Sequence, residues 1–191
     1  MYLEIKQFNS RLLEEAKDFF SDDYIFNKTN ESIFSRYLIS KEFQKQENIH
    51  YLPMVDSDWI PVFFDKNYWS ISHKKWLVFI WISKNKLWVD IEKYKERDIS
   101  LLIQFDDSEY EILWWKNWNN FYILWTAKES IIKYNLCKLD DIKNMNLILY
   151  NNINTVISWI TFTRRLVIIF NWVRYEVLNW IKWKNFYSIC I

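Results

Sequence analysis

The chain has no glycine in 191 residues and carries thirteen tryptophans. Glycine is the residue that takes φ > 0 without a Cβ clash. A chain lacking it must close hairpins and end helices on residues that resist those conformations. Ordinary usage of roughly 7% would place about 13 glycines in a chain of this length, which is the tryptophan count. Several tryptophans also stand where turn chemistry asks for glycine. Asn171-Trp172 and Asn179-Trp180 follow apolar, strand-like runs, and Asp58-Trp59 lies in a polar stretch ahead of Ile60-Pro61-Val62-Phe63-Phe64. With glycine second, these pairs become Asn-Gly and Asp-Gly, the strongest short-range turn signals. The expectation is that most of these tryptophans are glycines in the living cell, through a reassigned stop codon read with the wrong meaning. It places Trp59, Trp172 and Trp180 in turns.

The length suits one domain or two small halves sharing a core, and it is ample for a buried interior. With 25 Lys+Arg against 24 Asp+Glu, the charge balance points to neither a polyanionic polymer nor an acidic membrane as the main partner. Cys137 and Cys190 are far apart and in no metal-ligand spacing, which favours a reducing compartment over a disulfide framework. The start, Met1 to Lys6, carries charge and no long apolar stretch. The apolar runs Leu77 to Ile82 and Leu166 to Phe170 fall far short of the ~20 residues that cross a bilayer. A cytosolic protein is expected, with no nucleic acid and no membrane as partner.

Residues 1–6 alternate like a strand, and Leu12, Leu13, Ala16, Phe19 and Phe20 then recur at helical spacing. A second helix is expected from about Asn30, with Ile33, Phe34, Tyr37 and Leu38 on one side. Both prolines fall in 51–67, which reads as loop and extended chain. Ser70–Ser72, Leu77–Ile82 and Leu87–Glu92 follow as strands, the last two reading as a hairpin across Ser83–Lys86. Residues 98–111 give mixed signals, with a helix expected to end near Asp106-Asp107. From Asn119 or Asn120 to about Tyr134, Phe121, Leu124, Ala127, Ile131 and Ile132 mark one helical stripe. After Leu139 four strand segments are expected: 147–150, 155–158, 166–170 and 173–177. The fold class is α+β.

Three clusters could carry chemistry. Alternation along 87–92 puts Asp90 and Glu92 on one face, a seat for a hard cation such as Mg²⁺, which binds through one or two carboxylates plus waters and phosphates. Lys128-Glu129 and Lys133 lie on the expected helix. There Glu129 and Lys133 form an i,i+4 pair in the favourable order, worth about 0.2–0.5 kcal/mol as simple helix support. Ser70-Ile71-Ser72-His73-Lys74-Lys75 offers a histidine and two lysines able to receive phosphate groups. No nucleophile elbow or matching acid makes Ser72 and His73 a hydrolase site.

Taken in order, Trp69-Ser70-Ile71-Ser72-His73, Trp88-Val89-Asp90-Ile91-Glu92 and Phe121 through Lys133, with its Leu124-Trp125-Thr126-Ala127-Lys128-Glu129-Ser130, resemble a family. They are similar to the G-S-I-S-H, G-V-D-I-E and F-x-x-L-W-T-x-K-E-S/A-x-x-K motifs of the 4′-phosphopantetheinyl transferases, in the larger single-chain class. The match runs over roughly residues 33–150. Trp69 and Trp88 stand where that family has glycine, whereas Trp125 stands where it has tryptophan.

The resemblance implies two pseudo-symmetric α/β halves, 1–95 and 96–191, each a small antiparallel sheet with packed helices, and an active site in the cleft between them. It implies Mg²⁺ held by Asp90, Glu92 and Glu129, with coenzyme A as co-substrate and an apo acyl or peptidyl carrier protein as partner. Glu129 would also be the general base for the carrier serine, directly or through a metal-bound water, and Lys133 would stabilise the leaving phosphate. His73 and Lys128 would contact phosphates of coenzyme A, and Ser72 would position the His73 loop; Arg36 is added as a phosphate contact by its charge and order alone, outside the motifs. A chain holding both halves of the site needs no second copy, so a monomer is expected. Trp88 would put an indole next to the carboxylates where the family has glycine and could obstruct coenzyme A. Two other functions fit the residues. An aromatic-rich binding module needs its tryptophans gathered on one exposed face, and an inactive homologue would only bind a carrier protein.

Overall fold

The computed structural model describes residues 2–25, 28–55, 67–75, 77–157 and 160–191. It is an α+β protein with two antiparallel sheets, one of three strands and one of five. The chain divides into two compact units, Met1–Asn85 and Lys86–Ile191. The turn expected at Asp58-Trp59 and the segment 60–64 lie outside the described residues.

The first unit contains β1 (Tyr2–Gln7), α1 (Ser10–Phe19), α2 (Asp22–Ile25), α3 (Asn30–Glu47), β2 (Tyr68–Lys74) and β3 (Leu77–Ser83). Asn9 caps α1 by accepting from the Arg11 and Leu12 amides, and Thr29 caps α3 through the Ser32 amide. Asn30, expected as a cap, is therefore the first helical residue. β3 is central and pairs with β1 and β2. Its Val78, Ile80 and Ile82 pack against Leu13, Ala16, Phe34 and Leu38 from α1 and α3. The buried Val, Ile, Leu and Phe side chains among these each contribute about 1.5–3 kcal/mol of transfer free energy.

The second unit contains β4 (Trp88–Lys93), a 3₁₀ turn at 99–104, α4 (Asp107–Ile112), α5 (Trp118–Asn135), a second 3₁₀ turn at 139–144, then β5 (Asn146–Ile157), β6 (Ile160–Phe170), β7 (Val173–Lys182) and β8 (Asn185–Cys190). The mixed signals at 98–111 resolve into the first 3₁₀ turn and α4. Strand order is β4-β8-β7-β6-β5, and α5 lies on β4, β7 and β8. Asn117 caps α5 by accepting from the Asn120 amide at 3.0 Å. Segments 147–150 and 155–157 form one strand, whose pairing with β6 shifts register between Asn152 and Thr155.

The expected hairpin 77–92 does not form. β3 pairs within the first sheet and β4 with β8 in the second, so the polar Ser83–Lys86 break crosses from one unit to the other. The boundary accordingly falls at Asn85 rather than at 95, and the Asp90/Glu92 strand belongs to the second unit.

The tryptophan expectations divide. Asn171 (φ 50°) and Trp172 (φ 65°) form a two-residue tip between β6 and β7, as the Phe170–Val173 pairing requires. Two consecutive positive φ values mark the I′ geometry that favours Asn-Gly. Asn179-Trp180, by contrast, is mid-strand in β7. Trp180 stacks on Tyr187 with ring centroids 4.4 Å apart and meets Phe162 edge-on at 4.8 Å. Its buried indole fills the space between strands, and the turn comes later, at Trp183 (φ 51°) and Lys184 (φ 59°).

Candidate active site

The site is built on β4 and α5. Trp88, Asp90 and Glu92 share one face of β4 by strand alternation, and Ser188 of β8 stands opposite Asp90. Along α5, Glu129 and Lys133 are one turn apart and face the same way. The Lys133 ammonium donates to Asp90 Oδ1, joining groups 43 positions apart. Glu129 is hydrogen-bonded to Asp90 and feels Glu92 through space. Asp90 is 2% exposed and Glu92 8%, so this negative charge is poorly solvated.

Burial pushes the Glu129 carboxyl up to about 8, helped by the Asp90 charge and the Asp90 hydrogen bond and opposed by Lys133. Burial works against the Lys133 ammonium, but Asp90 and Glu129 outweigh it and hold its pKa above the ordinary lysine value. Three carboxyl groups thus surround one ammonium, and one of the three keeps its proton at neutral pH. That surplus of oxygen donors and negative charge suits a divalent cation. Among the described residues no three such groups form a ready metal cage. Mg²⁺ needs only one or two carboxylates and fills its shell with waters and phosphates, so Asp90 and Glu129 fit it.

Lys128 stands elsewhere. Its ammonium donates to Glu109 Oε2 at 2.7 Å and to the Met145 carbonyl at 2.8 Å, and lies 4.5 Å from the Phe105 ring centroid. Glu109 Oε1 accepts from the Leu147 amide at 2.7 Å. Side-chain exposures of 1% and 4% seal the pair. Lys128 therefore ties α5 to α4 and the start of β5. Glu109 and Lys128 themselves line a cavity of about 590 Å³, together with Gln104, Asp106 and Lys143, and neither Asp90 nor Glu129 lines it.

Arg36, Ser72 and His73 belong to the first unit. Arg36 is 6% exposed. It donates to the Pro53 carbonyl and to Ser32 Oγ, and its guanidinium lies 5.9 Å from the Trp69 ring centroid. It holds the Pro53 segment on α3. On β2, Ser72 is buried and His73 exposed.

Glu109, Asn179 and Ser188 were missed in the sequence. A lone Glu in a mixed segment carries no pattern, and Asn179 followed by Trp imitates a turn. Among the described residues four tryptophans are exposed, 114, 115, 172 and 183. Trp172 and Trp183 sit at opposite ends of β7, about 37 Å apart at ~3.4 Å per residue, and share no stacking face. Trp88 is 5% exposed and meets the Tyr134 ring edge-on at 6.4 Å. No helix among the described residues is long and apolar enough to cross a membrane. No protein-family model and no curated protein matches the chain.

Proposed function

We propose that the protein is a transferase that moves the 4′-phosphopantetheine arm of coenzyme A onto a serine of an apo acyl or peptidyl carrier protein, releasing adenosine 3′,5′-bisphosphate. One observation carries the proposal: Asp90 of β4 and Glu129 and Lys133 of α5 meet in one acidic, poorly hydrated cluster. Each of these residues belongs to a motif by which the sequence resembles the transferases.

In this mechanism Glu129 accepts the proton of the carrier serine hydroxyl as Oγ attacks the phosphorus of the pantetheine-linked phosphate. The bond from that phosphorus to the bridging oxygen breaks, and the adenosine bisphosphate leaves with the electron pair. Lys133 stabilises the charge that develops on the leaving phosphate. Asp90 and Glu129, with Glu92 beside them, would hold Mg²⁺, which when bound neutralises pyrophosphate charge. Ser72 and His73 are assigned to the phosphates of coenzyme A by resemblance alone, as are the cytosolic setting, the monomeric state and the pseudo-symmetry of the halves.

The test is incubation with Mg²⁺, coenzyme A and a panel of apo carrier proteins, followed by intact-mass spectrometry. A mass gain equal to the arm, located on serine and abolished by EDTA, is expected. No gain on any carrier removes the proposal.

A further inference from the structure

Thr126, Asn179 and Ser188 each have 0% exposure in the second unit. Asn179 on β7 pairs in register with Ser188 on β8, and Ser188 with Asp90 on β4. Residues opposite one another across a ladder share a face, so these three form a polar row across the sheet. An apolar row, Val177, Cys190 and Trp88, runs beside it. Ser188 Oγ donates to Thr126 Oγ1 at 2.7 Å. Asn179 Nδ2 donates to Ser188 Oγ at 3.0 Å and to Thr126 Oγ1 at 3.4 Å. Thr126 Oγ1 donates in turn to the Tyr122 carbonyl at 2.9 Å. Along α5, Thr126, Glu129 and Lys133 follow the i, i+3, i+7 spacing of one helix face.

Stability alone does not call for this triad. Asn179 Oδ1 has no hydrogen-bond partner among the described residues, and apolar groups of equal shape commonly replace buried polar sets without loss. Apolar contacts are non-directional and let a helix slide or rotate on a sheet, whereas hydrogen bonds fix distance and angle. We infer that the Asn179–Ser188–Thr126 triad is a positioning device, setting the height and rotation of α5 on β8 so that Glu129 and Lys133 meet Asp90 on the next strand. The consequence for metal binding rests on the transferase reading; the positioning itself does not.

The triple variant Asn179→Leu, Ser188→Ala, Thr126→Val removes the hydrogen bonds while keeping the interior filled, and Thr126→Ser keeps the hydroxyl. In crystal structures α5 of the triple variant is expected to move by about 1 Å or more relative to β4, beyond the ~0.5 Å a functional constellation tolerates, while Thr126→Ser superimposes on the parent. With Mn²⁺ as probe, affinity is expected to fall about tenfold in the triple variant and to be retained in Thr126→Ser, with the thermal midpoint kept in both. Should the triple variant not fold, Thr126→Val alone carries the comparison. An α5 that stays in place overturns the inference. A displaced α5 with unchanged Mn²⁺ affinity overturns its functional half. A displaced α5 in a protein whose parent binds no Mn²⁺ upholds the positioning and removes the metal-site reading.

A second inference rests on the backbone. Eight described residues have positive φ, and three are tryptophans, 114 (78°), 172 (65°) and 183 (51°), although tryptophan supplies only thirteen of the 191 residues. Trp114 follows the last residues of α4, the C′ place where glycine is favoured, and the other two sit in two-residue hairpin tips. Exposures of 76%, 99% and 76% mean that these indoles pack almost nothing. We infer that the codon written as tryptophan at these positions is read as glycine in the host. Tandem mass spectrometry of peptides from host cells covering 114, 172 and 183 is expected to read glycine, and tryptophan there overturns the inference.

Discussion

Lys128 and Lys133 both leave α5 to meet a carboxylate from another element, and their surroundings differ in kind. Around Lys128 the ammonium is bonded to one carboxylate, Glu109, with Asp106 acting more weakly through space, and each partner of the pair takes a backbone group, Met145 O and the Leu147 amide. The hydrogen bonds of the pair are filled and both side chains are nearly fully buried, at the wall of the cavity of about 590 Å³. Around Lys133 one ammonium faces Asp90, Glu129 and Glu92, and its side chain is 34% exposed. That cluster stays balanced only by keeping a proton or gaining a cation. A buried pair with filled hydrogen bonds is architecture, whereas an excess of one sign around a part-exposed ammonium is a place for chemistry.

The sharpest way to break this contrast is to neutralise the open cluster. Glu129→Gln keeps shape and removes the base, so carrier labelling is expected to fall by about 10²- to 10⁴-fold. The unfolding midpoint should be unchanged or higher, since a carboxylate crowded by Asp90 is gone. Retained labelling would reduce the open cluster to a second structural pair. At the closed pair the effects should exchange. Lys128→Met strands Glu109 and is expected to cost about 3–5 kcal/mol in urea unfolding, with labelling per folded molecule nearly kept. Adding Glu109→Gln, which still accepts from the Leu147 amide, should recover most of that loss. Activity falling without destabilisation would show that Lys128 does touch the reaction.

A smaller effect lies in the pH dependence of the open cluster. The Glu129 pKa, raised to about 8, stands above its unfolded value. The stability it allows is therefore fully present below about pH 4.3 and is lost as pH rises through 8 in the metal-free protein. A cation must displace that proton, so Mn²⁺ affinity should climb with pH up to about 8 and then level off. Calorimetry in buffers of different ionisation enthalpy should count close to one proton released per metal at pH 7. Release of none would place the metal away from Glu129.

Much of the open cluster was legible because its parts carry local signatures: alternation put Asp90 and Glu92 together, and helical spacing put Glu129 and Lys133 together. The closed pair was not. Lys128 and Glu109 lie 19 positions apart, and neither periodicity nor charge pattern reveals that a lysine next to Glu129 turns inward. The false hairpin at 77–92 has a similar cause, because short apolar runs declare themselves as strands without saying which partner they take. Asn179-Trp180 failed because an Asn in β7 with two buried partners looks, in one dimension, like the start of a turn. Asn171-Trp172 succeeded because nothing but the tip conformation was at stake there.

Glu92 offers the finest division within the open cluster. It shares the face of Asp90 but acts on Glu129 only through space, as the last and weakest of the influences on that group. At an effective dielectric of about 20, a charge one residue pair further along the strand still contributes on the order of 2 kcal/mol before relaxation and salt. Solvent screening around the part-exposed Lys133 removes much of that. Glu92→Gln is therefore expected to lower Mn²⁺ affinity by only about two- to tenfold and to move the levelling-off point of the pH profile slightly downward. A loss as large as that of Glu129→Gln would make Glu92 a direct ligand and the cluster a three-carboxylate seat. No change at all would leave Asp90 and Glu129 as the complete protein contribution to the cation.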